Sequence, residues 1–209
     1  MLSIIIPAHN EEQYIELCLN SIKQQSFKDY EIIVICDACT DKTYTLAKKY
    51  TKKVYKINKR NVSAARNAGA KKAKYKTLVF IDADSTIAPN LLKEISKIKN
   101  YIGGTTKTLS LENKTKAHIM WALGNFCRHF FMAASGLIFC KADLFPGFDE
   151  DRKLAEDTHL LKKLTKLGKL KYITNSYIKT SSRRLEKNGY IKTIYKQYTG
   201  YFIKNVEGY

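Results

Sequence analysis

Four short runs in the first half of the chain, separated by stretches of helical periodicity, restrict the fold more than any other feature. Leu2–Ile6, Tyr30–Cys36 and Leu78–Ile81 are dominated by isoleucine, valine and leucine, with a shorter, more polar run at Lys53–Ile57. Apolar runs of this length bounded by polar residues read as strands buried on both faces. Between the first two, Glu11 to Gln24 carries Ile15, Cys18, Leu19 and Ile22 on one helical face. Residues 41–50 and 63–73 read as two further helices. A β-α-β-α-β-α-β order predicts a mostly parallel sheet with right-handed crossovers and helices on both faces.

The fourth run ends in Asp82-Ala83-Asp84. Ligands of parallel α/β sheets bind beyond the carboxyl ends of the strands. Two carboxylates there suit a hard divalent cation, Mg²⁺ or Mn²⁺, that bridges nucleotide phosphates. A solvated acidic turn explains the same pair equally well when it is taken alone. After Asp84 the pattern is mixed. Residues 89–99 read as a helix, 101–111 as an extended segment behind a Gly103-Gly104 turn, and 116–133 as an apolar, aromatic helix. Residues 135–140 read as a strand, 157–167 as a helix and 171–173 as a last short strand. Ile191, Ile194, Tyr195, Tyr198, Tyr201 and Phe202 recur at helical spacing in a final helix over 190–204. These elements predict one α/β domain over residues 1–180 and a basic amphipathic helical extension over 181–209.

At 209 residues, with 44% hydrophobic and 27% charged side chains, the chain is of a globular and not a disordered class. No segment approaches the roughly 20 consecutive apolar residues of a membrane span. Met1 leads directly into the first strand without a basic leader, so the expected location is cytoplasmic. Five cysteines do not make a disulfide framework. Cys36 and Cys39 form a C-x-x-C, but a zinc ribbon needs a second close pair, and Cys127 and Cys140 are too far apart to supply it. The net charge of +18 implies an anionic partner. From Thr158 onward, twelve Lys/Arg face only Glu186 and Glu207.

The ends of the runs line up in an ordered set: Pro7-Ala8-His9-Asn10-Glu11-Glu12, Cys36-Asp37-Ala38-Cys39-Thr40-Asp41, Asn61-Val62-Ser63-Ala64-Ala65-Arg66-Asn67-Ala68-Gly69 and Ile81-Asp82-Ala83-Asp84. Ser135-Gly136, Phe145-Pro146-Gly147-Phe148-Asp149-Glu150 and Ala155-Glu156-Asp157 follow. Over residues 1–170 this set closely resembles the family-2 glycosyltransferases, inverting enzymes of the GT-A fold that use sugar nucleotides. The resemblance implies a Rossmann-like, mostly parallel sheet flanked by helices. It implies transfer of a sugar from a nucleoside diphosphate sugar, UDP favoured and GDP the main competitor, to a hydroxyl acceptor on a glycan or lipid-linked sugar.

It also implies roles for particular residues. Pro7, His9 and Glu11 line the nucleoside pocket, with histidine where many relatives have tyrosine. Asp37 accepts a hydrogen bond from the base. Arg66 pairs with Asp82 or with the nucleotide. Asp84 is the direct metal ligand; Asp82 contacts the ribose or a metal-bound water, and Ala83 between them belongs to the nucleotide-sugar site. Asp157 is the catalytic base that deprotonates the acceptor. Ser135, Gly136 and Glu156 belong to the acceptor or diphosphate side. Arg183 and Arg184 clamp a diphosphate or a phosphorylated acceptor, where relatives carry a histidine ligand or a Gln-x-x-Arg-Trp motif. A bare basic loop is the other account of the two arginines.

Three alternatives stay open. A polyprenyl phosphate acceptor is already ionised and needs no base, which makes Asp157 a positioning residue. A nucleotidyltransferase shares the sheet and the carboxylate but opens with a glycine-rich loop that Pro7-Ala8-His9-Asn10 does not provide. A nucleic-acid-binding module accounts for the charge and the fourteen tyrosines, yet leaves the acidic strand ends unexplained; no nucleic acid is expected. The terminal helix, aromatic with Lys192, Lys196 and Lys204, suits an anionic membrane surface and a peripheral position on it. The helix around Trp121 is expected to pack on the domain instead.

Overall fold

A computed structural model of the chain describes residues 1–152 and 154–189. The strands are β1 (Leu2–Ala8), β2 (Tyr30–Asp37), β3 (Val54–Ile57), β4 (Thr77–Ile81), β5 (Ser85–Ile87), β6 (Gly103–Ser110), β7 (Leu137–Lys141) and β8 (Leu170–Thr180). The helices are α1 (Ile15–Lys23), α2 (Thr43–Lys48), α3 (Val62–Lys72), α4 (Leu91–Ser96), α5 (Thr115–Phe131), α6 (Glu156–Thr165) and α7 (Arg183–Asn188). All eight strands form one sheet in the order β3-β2-β1-β4-β7-β6-β8-β5. The β3-β2-β1-β4 half is parallel, as the alternation predicts. β7 runs antiparallel to both β4 and β6, β8 is parallel to β6, and β5 is antiparallel to β8.

The strand period of two sorts the core into two layers. Ile4, Ile6, Ile32, Val34, Val79 and Ile81 face one side, with Ile15, Cys18, Leu19 and Ile22 of α1 and Leu91, Leu92 and Ile95 of α4. Ile5, Leu78 and Phe80 face the other, with Leu160, Leu161 and Leu164 of α6. Ile33 and Ile35 meet Ala65 of α3 on that second side. α3 lies very close to the sheet because it presents small residues there. A Cβ on Gly69 would come 2.3 Å from Ile5 Cγ2, so only glycine permits the approach.

The second half departs from the sequence expectation at three points. Gly103-Gly104 is the start of β6 and not a turn, because a Cβ on Gly104 would lie 1.9 Å from the Lys171 carbonyl oxygen of the neighbouring strand. The last strand extends well past Ile173 to Thr180. Its pairing with β6 shifts between Thr106↔Ile173 and Lys107↔Tyr177, which accommodates Thr174, Asn175 and Ser176 as a bulge. The Thr106 hydroxyl reaches both ends of that bulge, at 3.0 Å from the Ile173 carbonyl and 2.9 Å from that of Ser176. β5, directly after Asp84, was not anticipated.

The helix around Trp121 buries one side only. Ala117 and Trp121 are enclosed, whereas Ile119, Leu123 and Phe126 are 54%, 61% and 69% exposed. Among the described residues no helix is long and apolar enough to cross a membrane. The amphipathic helix expected over 190–204, and most of the proposed 181–209 extension, lie outside the described residues.

Gly104→Ala tests the close β6–β8 approach. Forcing a methyl into that backbone contact should cost about 3 kcal/mol, read as a lower urea midpoint with an unchanged slope.

Candidate active site

Topology brings the polar residues to one edge. β1, β2 and β4 are parallel, so Ala8, Asp37 and Ile81 end on the same side. β7 runs the other way, so its leading Gly136 lies beside the end of β4, and the Asp82 N–H donates to the Gly136 carbonyl at 3.1 Å. Gly136 has φ +83°, a backbone conformation that favours glycine. β8 is parallel to β6 and ends there too. Its last residue pairs with Ser85, and the Ser181 N–H donates to the Asp84 carbonyl at 3.1 Å.

Arg66 is the centre of this edge. Its side chain is 4% exposed, with NH2 2.7 Å from Asp82 Oδ1 and NH1 2.9 Å from Glu156 Oε1 and 2.8 Å from Asp157 Oδ1. Its guanidinium lies 5.0 Å over the Phe148 ring. Burial works against the charge, but Asp157, Asp82 and Glu156 outweigh it and hold the arginine protonated above its ordinary range. Glu156 and Asp157 sit in the first turn of α6, where acidic side chains meet the helix dipole favourably. Asn67, next on α3, fixes the preceding loop: its amide donates to the Phe148 carbonyl at 3.0 Å and accepts the Phe148 N–H at 2.8 Å.

The end of β2 is built around Asp37, only 3% exposed. Its carboxylate accepts the backbone N–H groups of Lys59 and Arg60 on Oδ1 and of Asn61 on Oδ2, at 2.7 to 2.9 Å. Asp37 therefore shapes the 59–61 backbone, and Asn61 in turn caps α3 by accepting the Ala64 N–H at 3.0 Å. His9 Nδ1 donates to the Asp37 carbonyl at 2.6 Å, leaving an exposed ring. Pro7 lies inside β1, buried and paired with Ile35. Asn10, Ala38, Arg60 and Ala155 all have positive φ near 50°. Each such residue costs about 1–3 kcal/mol of strain, of the kind that collects at functional sites.

The third group surrounds Asp84. Its Oδ1 is 3.4 Å from the Thr180 hydroxyl and its Oδ2 3.4 Å from Arg183 NH2. Arg183 also pairs with Glu11 and lies 4.9 Å over the Tyr14 ring. Burial disfavours the Arg183 charge, but Glu11, Asp84 and Tyr14 more than restore it. Glu112 braces the same segment, accepting the Ser181 hydroxyl at 2.7 Å and the Ser182 N–H at 2.8 Å. Burial opposes its ionisation, yet these donors hold it below the ordinary 4.5. Of Arg184 only the backbone, in α7, is described. Sequence reasoning gave no role to Glu112 or Tyr14, whose contacts lie far along the chain; only Asn61, three residues before Ala64, carried a local capping signal.

The structure thus gathers Asp82, Arg66, Glu156 and Asp157 in one cluster and Glu11, Asp84 and Arg183 in a neighbouring one, with Gly136 beside the first and the Ser135 carbonyl accepting the Thr108 hydroxyl of β6 at 2.9 Å. Ala83 between the two aspartates is buried. Among the described residues no three His, Cys, Asp or Glu side chains converge as a metal cage. Asp84 still fits a hard cation: Mg²⁺ is commonly held by one or two carboxylates and completed by substrate phosphates.

A profile of glycosyl transferase family 2 matches residues 3–132. The chain belongs to this family, and it is a glycosyltransferase domain of GT-A fold. Among curated proteins it is 31% identical over 102 residues to the uncharacterized glycosyltransferase EpsJ of Bacillus subtilis, covering 46% of this chain and 30% of EpsJ. It therefore spans less than a third of that relative. The fold resembles Staphylococcus aureus TarS 1-349 in complex with UDP-GlcNAc, at TM-score 0.69 and 21% identity over 84% of this chain and 57% of TarS 1-349. It equally resembles the mannosyltransferase PcManGT of Pyrobaculum calidifontis in complex with GDP-Man and Mn²⁺, at TM-score 0.71 and 17% identity over all of this chain and 65% of that one.

Two measurements check this geometry. Arg66→Met leaves three carboxylates facing one another and should cost about 3–5 kcal/mol in chemical denaturation, as expected for one partner removed from a buried ionic cluster. Cys39 offers a pH test. The neighbouring Cys36 thiol brings it down to about 7, against the opposing effect of burial, while Cys36 itself is pushed up. Thiolate is the reactive form, so alkylation of Cys39 should rise through pH 7 and precede that of buried Cys18, Cys36 and Cys140.

Proposed function

We propose that this domain transfers a glycosyl group, with inversion, from a nucleoside diphosphate sugar to an acceptor hydroxyl on a glycan or lipid-linked sugar. The observation that carries the reading is the Arg66 cluster. One guanidinium holds Asp82, from the donor side of the sheet edge, within its own width of Asp157, the candidate base. Uridine is the base we favour, with guanosine its competitor, and Asp37 acts on base recognition through the 59–61 backbone it holds. His9 offers its ring to the nucleoside from the end of β1.

A divalent cation held by Asp84, with Asp82 beside it, supplies charge neutralisation for the departing diphosphate. The protein's own groups do the rest. Arg183, within reach of Asp84, supplies a planar cation to the diphosphate. Asp157 shares the Arg66 guanidinium with Asp82 and Glu156, which holds it in place to take up the acceptor's proton. Arg66 keeps Asp82 and Glu156 as partners when Asp157 is protonated, so the cluster survives the transfer. Attack from the side of Asp157, opposite the diphosphate, inverts the anomeric centre.

A polyprenyl phosphate acceptor is the second reading, favoured by the 2.8 Å Arg66–Asp157 contact: a paired carboxylate positions well without taking a proton. The charge of +18 supports an anionic partner in either case, and contact with an anionic membrane surface from the cytoplasmic side remains part of the proposal.

A thermal-shift panel of UDP, GDP and CDP, each with Mn²⁺ or EDTA, tests the donor site. One nucleotide should raise the melting temperature only with metal, and Asp84→Asn should abolish that shift. Asp157→Asn should keep the shift but lose about 10²–10⁴-fold in turnover on a hydroxyl acceptor. A metal-independent shift, or none from folded protein, would sink the donor-site reading.

A further inference from the structure

Arg66 and Arg183 both pair with acidic residues at the sheet edge, but they are built differently. Arg66 is sealed in, whereas the Arg183 side chain is 36% exposed. Arg183 lies against the carboxylates of Glu11 and Asp84 and over the face of Tyr14. The Asp84 contact, at 3.4 Å, is longer than the 2.7–2.9 Å of a strong charge-assisted bond. The backbone beneath it is pinned. Glu112 holds Ser181 and Ser182, Asp84 accepts the Ser181 N–H, and Trp121 Nε1 donates to the Ser182 hydroxyl at 3.1 Å. A long, half-exposed side chain thus rises from a fixed base, so it can exchange partners by rotamer change without moving the strand.

A divalent cation ligated by Asp84 would sit about 2.1 Å from the carboxylate oxygen. A cation there and the Arg183 guanidinium would repel each other across the same carboxylate unless an anion lay between them. The donor's diphosphate is such an anion. We propose that Arg183 is an internal counter-ion of Glu11 and Asp84 in the donor-free protein, that a divalent cation displaces it from Asp84, and that its guanidinium then passes to the diphosphate. Metal and nucleotide consequently bind cooperatively, each raising the affinity for the other by the same factor. The proposal rests on the reading of Asp84 as the metal-holding carboxylate.

Mn²⁺ binding, followed by the electron paramagnetic resonance of free Mn²⁺, tests this on the whole chain with and without UDP or GDP. Without nucleotide, Arg183→Gln should bind Mn²⁺ about 10-fold more tightly than wild type, within the usual span of coupling factors. Nucleotide should then strengthen Mn²⁺ binding more in wild type than in this variant. Arg183→Lys, which keeps the charge, should follow wild type. Equal Mn²⁺ affinity in wild type and Arg183→Gln would overturn the counter-ion role. Asp84→Asn separates the two ideas. If it abolishes Mn²⁺ binding while wild type and Arg183→Gln stay equal, the donor site stands and only the role of Arg183 falls. If it binds Mn²⁺ as wild type does, the donor-site reading fails and takes this proposal with it. Should Arg183→Gln fold poorly, wild type alone decides, because independent binding of Mn²⁺ and nucleotide would overturn the proposal.

Discussion

A guanidinium buried among three carboxylates is the constraint on which this site depends. Charge enclosed in protein is costly unless it is paired in good geometry, and Arg66 meets that condition with groups from two other parts of the chain. α3 carries the arginine, the loop after β4 brings Asp82, and the first turn of α6 brings Glu156 and Asp157. None of these segments can drift without exposing or stranding a charge. The small side chains of α3 are part of the same requirement. Gly69 lets the helix lie against Ile5, which sets how far Arg66 reaches over the sheet edge.

The two arginines divide rigidity and exchange between them. The enclosed one fixes the loop after β4 against the first turn of α6. The half-exposed one sits on a braced backbone, where a change of partner costs only a rotamer. Asp37 extends the rigid part to the end of β2, since its three backbone hydrogen bonds fix the 59–61 loop that leads into α3. Strained backbone at Asn10, Ala38, Arg60 and Ala155 lies along the same rim, so the shape of the rim is held by contacts and not by local preference.

The parallel half of the sheet was legible because burial on both faces leaves unbroken apolar runs, and the buried face of α1 follows from its spacing alone. The polar strand ends pointed to the site for a related reason: apolar runs that stop at acids mark where a sheet edge meets solvent. The second half was harder to read. β5 has three residues, too few to show a period. β8 alternates buried and exposed positions and carries Asn and Ser within it, which resembles turn chemistry. Gly103-Gly104 looks like a turn in sequence, while its cause is the nearness of another strand. Glu112 and Tyr14 had no local signal, because their value comes from contacts with residues roughly 70 and 170 positions away. Arg66 was expected to choose between Asp82 and the nucleotide; that it also holds Glu156 and Asp157 depends on packing that sequence spacing does not encode.

The bulge of β8 acts as a phase setter. Side chains alternate along a strand with a period of two, so three extra residues between Ile173 and Tyr177 invert which face each later residue presents. Thr180, Ser181 and Arg183 inherit their orientation from that odd number, with Thr106 clasping both ends of the insertion. Deleting one of the three would leave the strand in the sheet yet turn its far end over, carrying Thr180 away from Ser85 and Arg183 away from Asp84. Changing the length of an unremarkable stretch a few residues upstream would thus disarm the site without touching a residue in it.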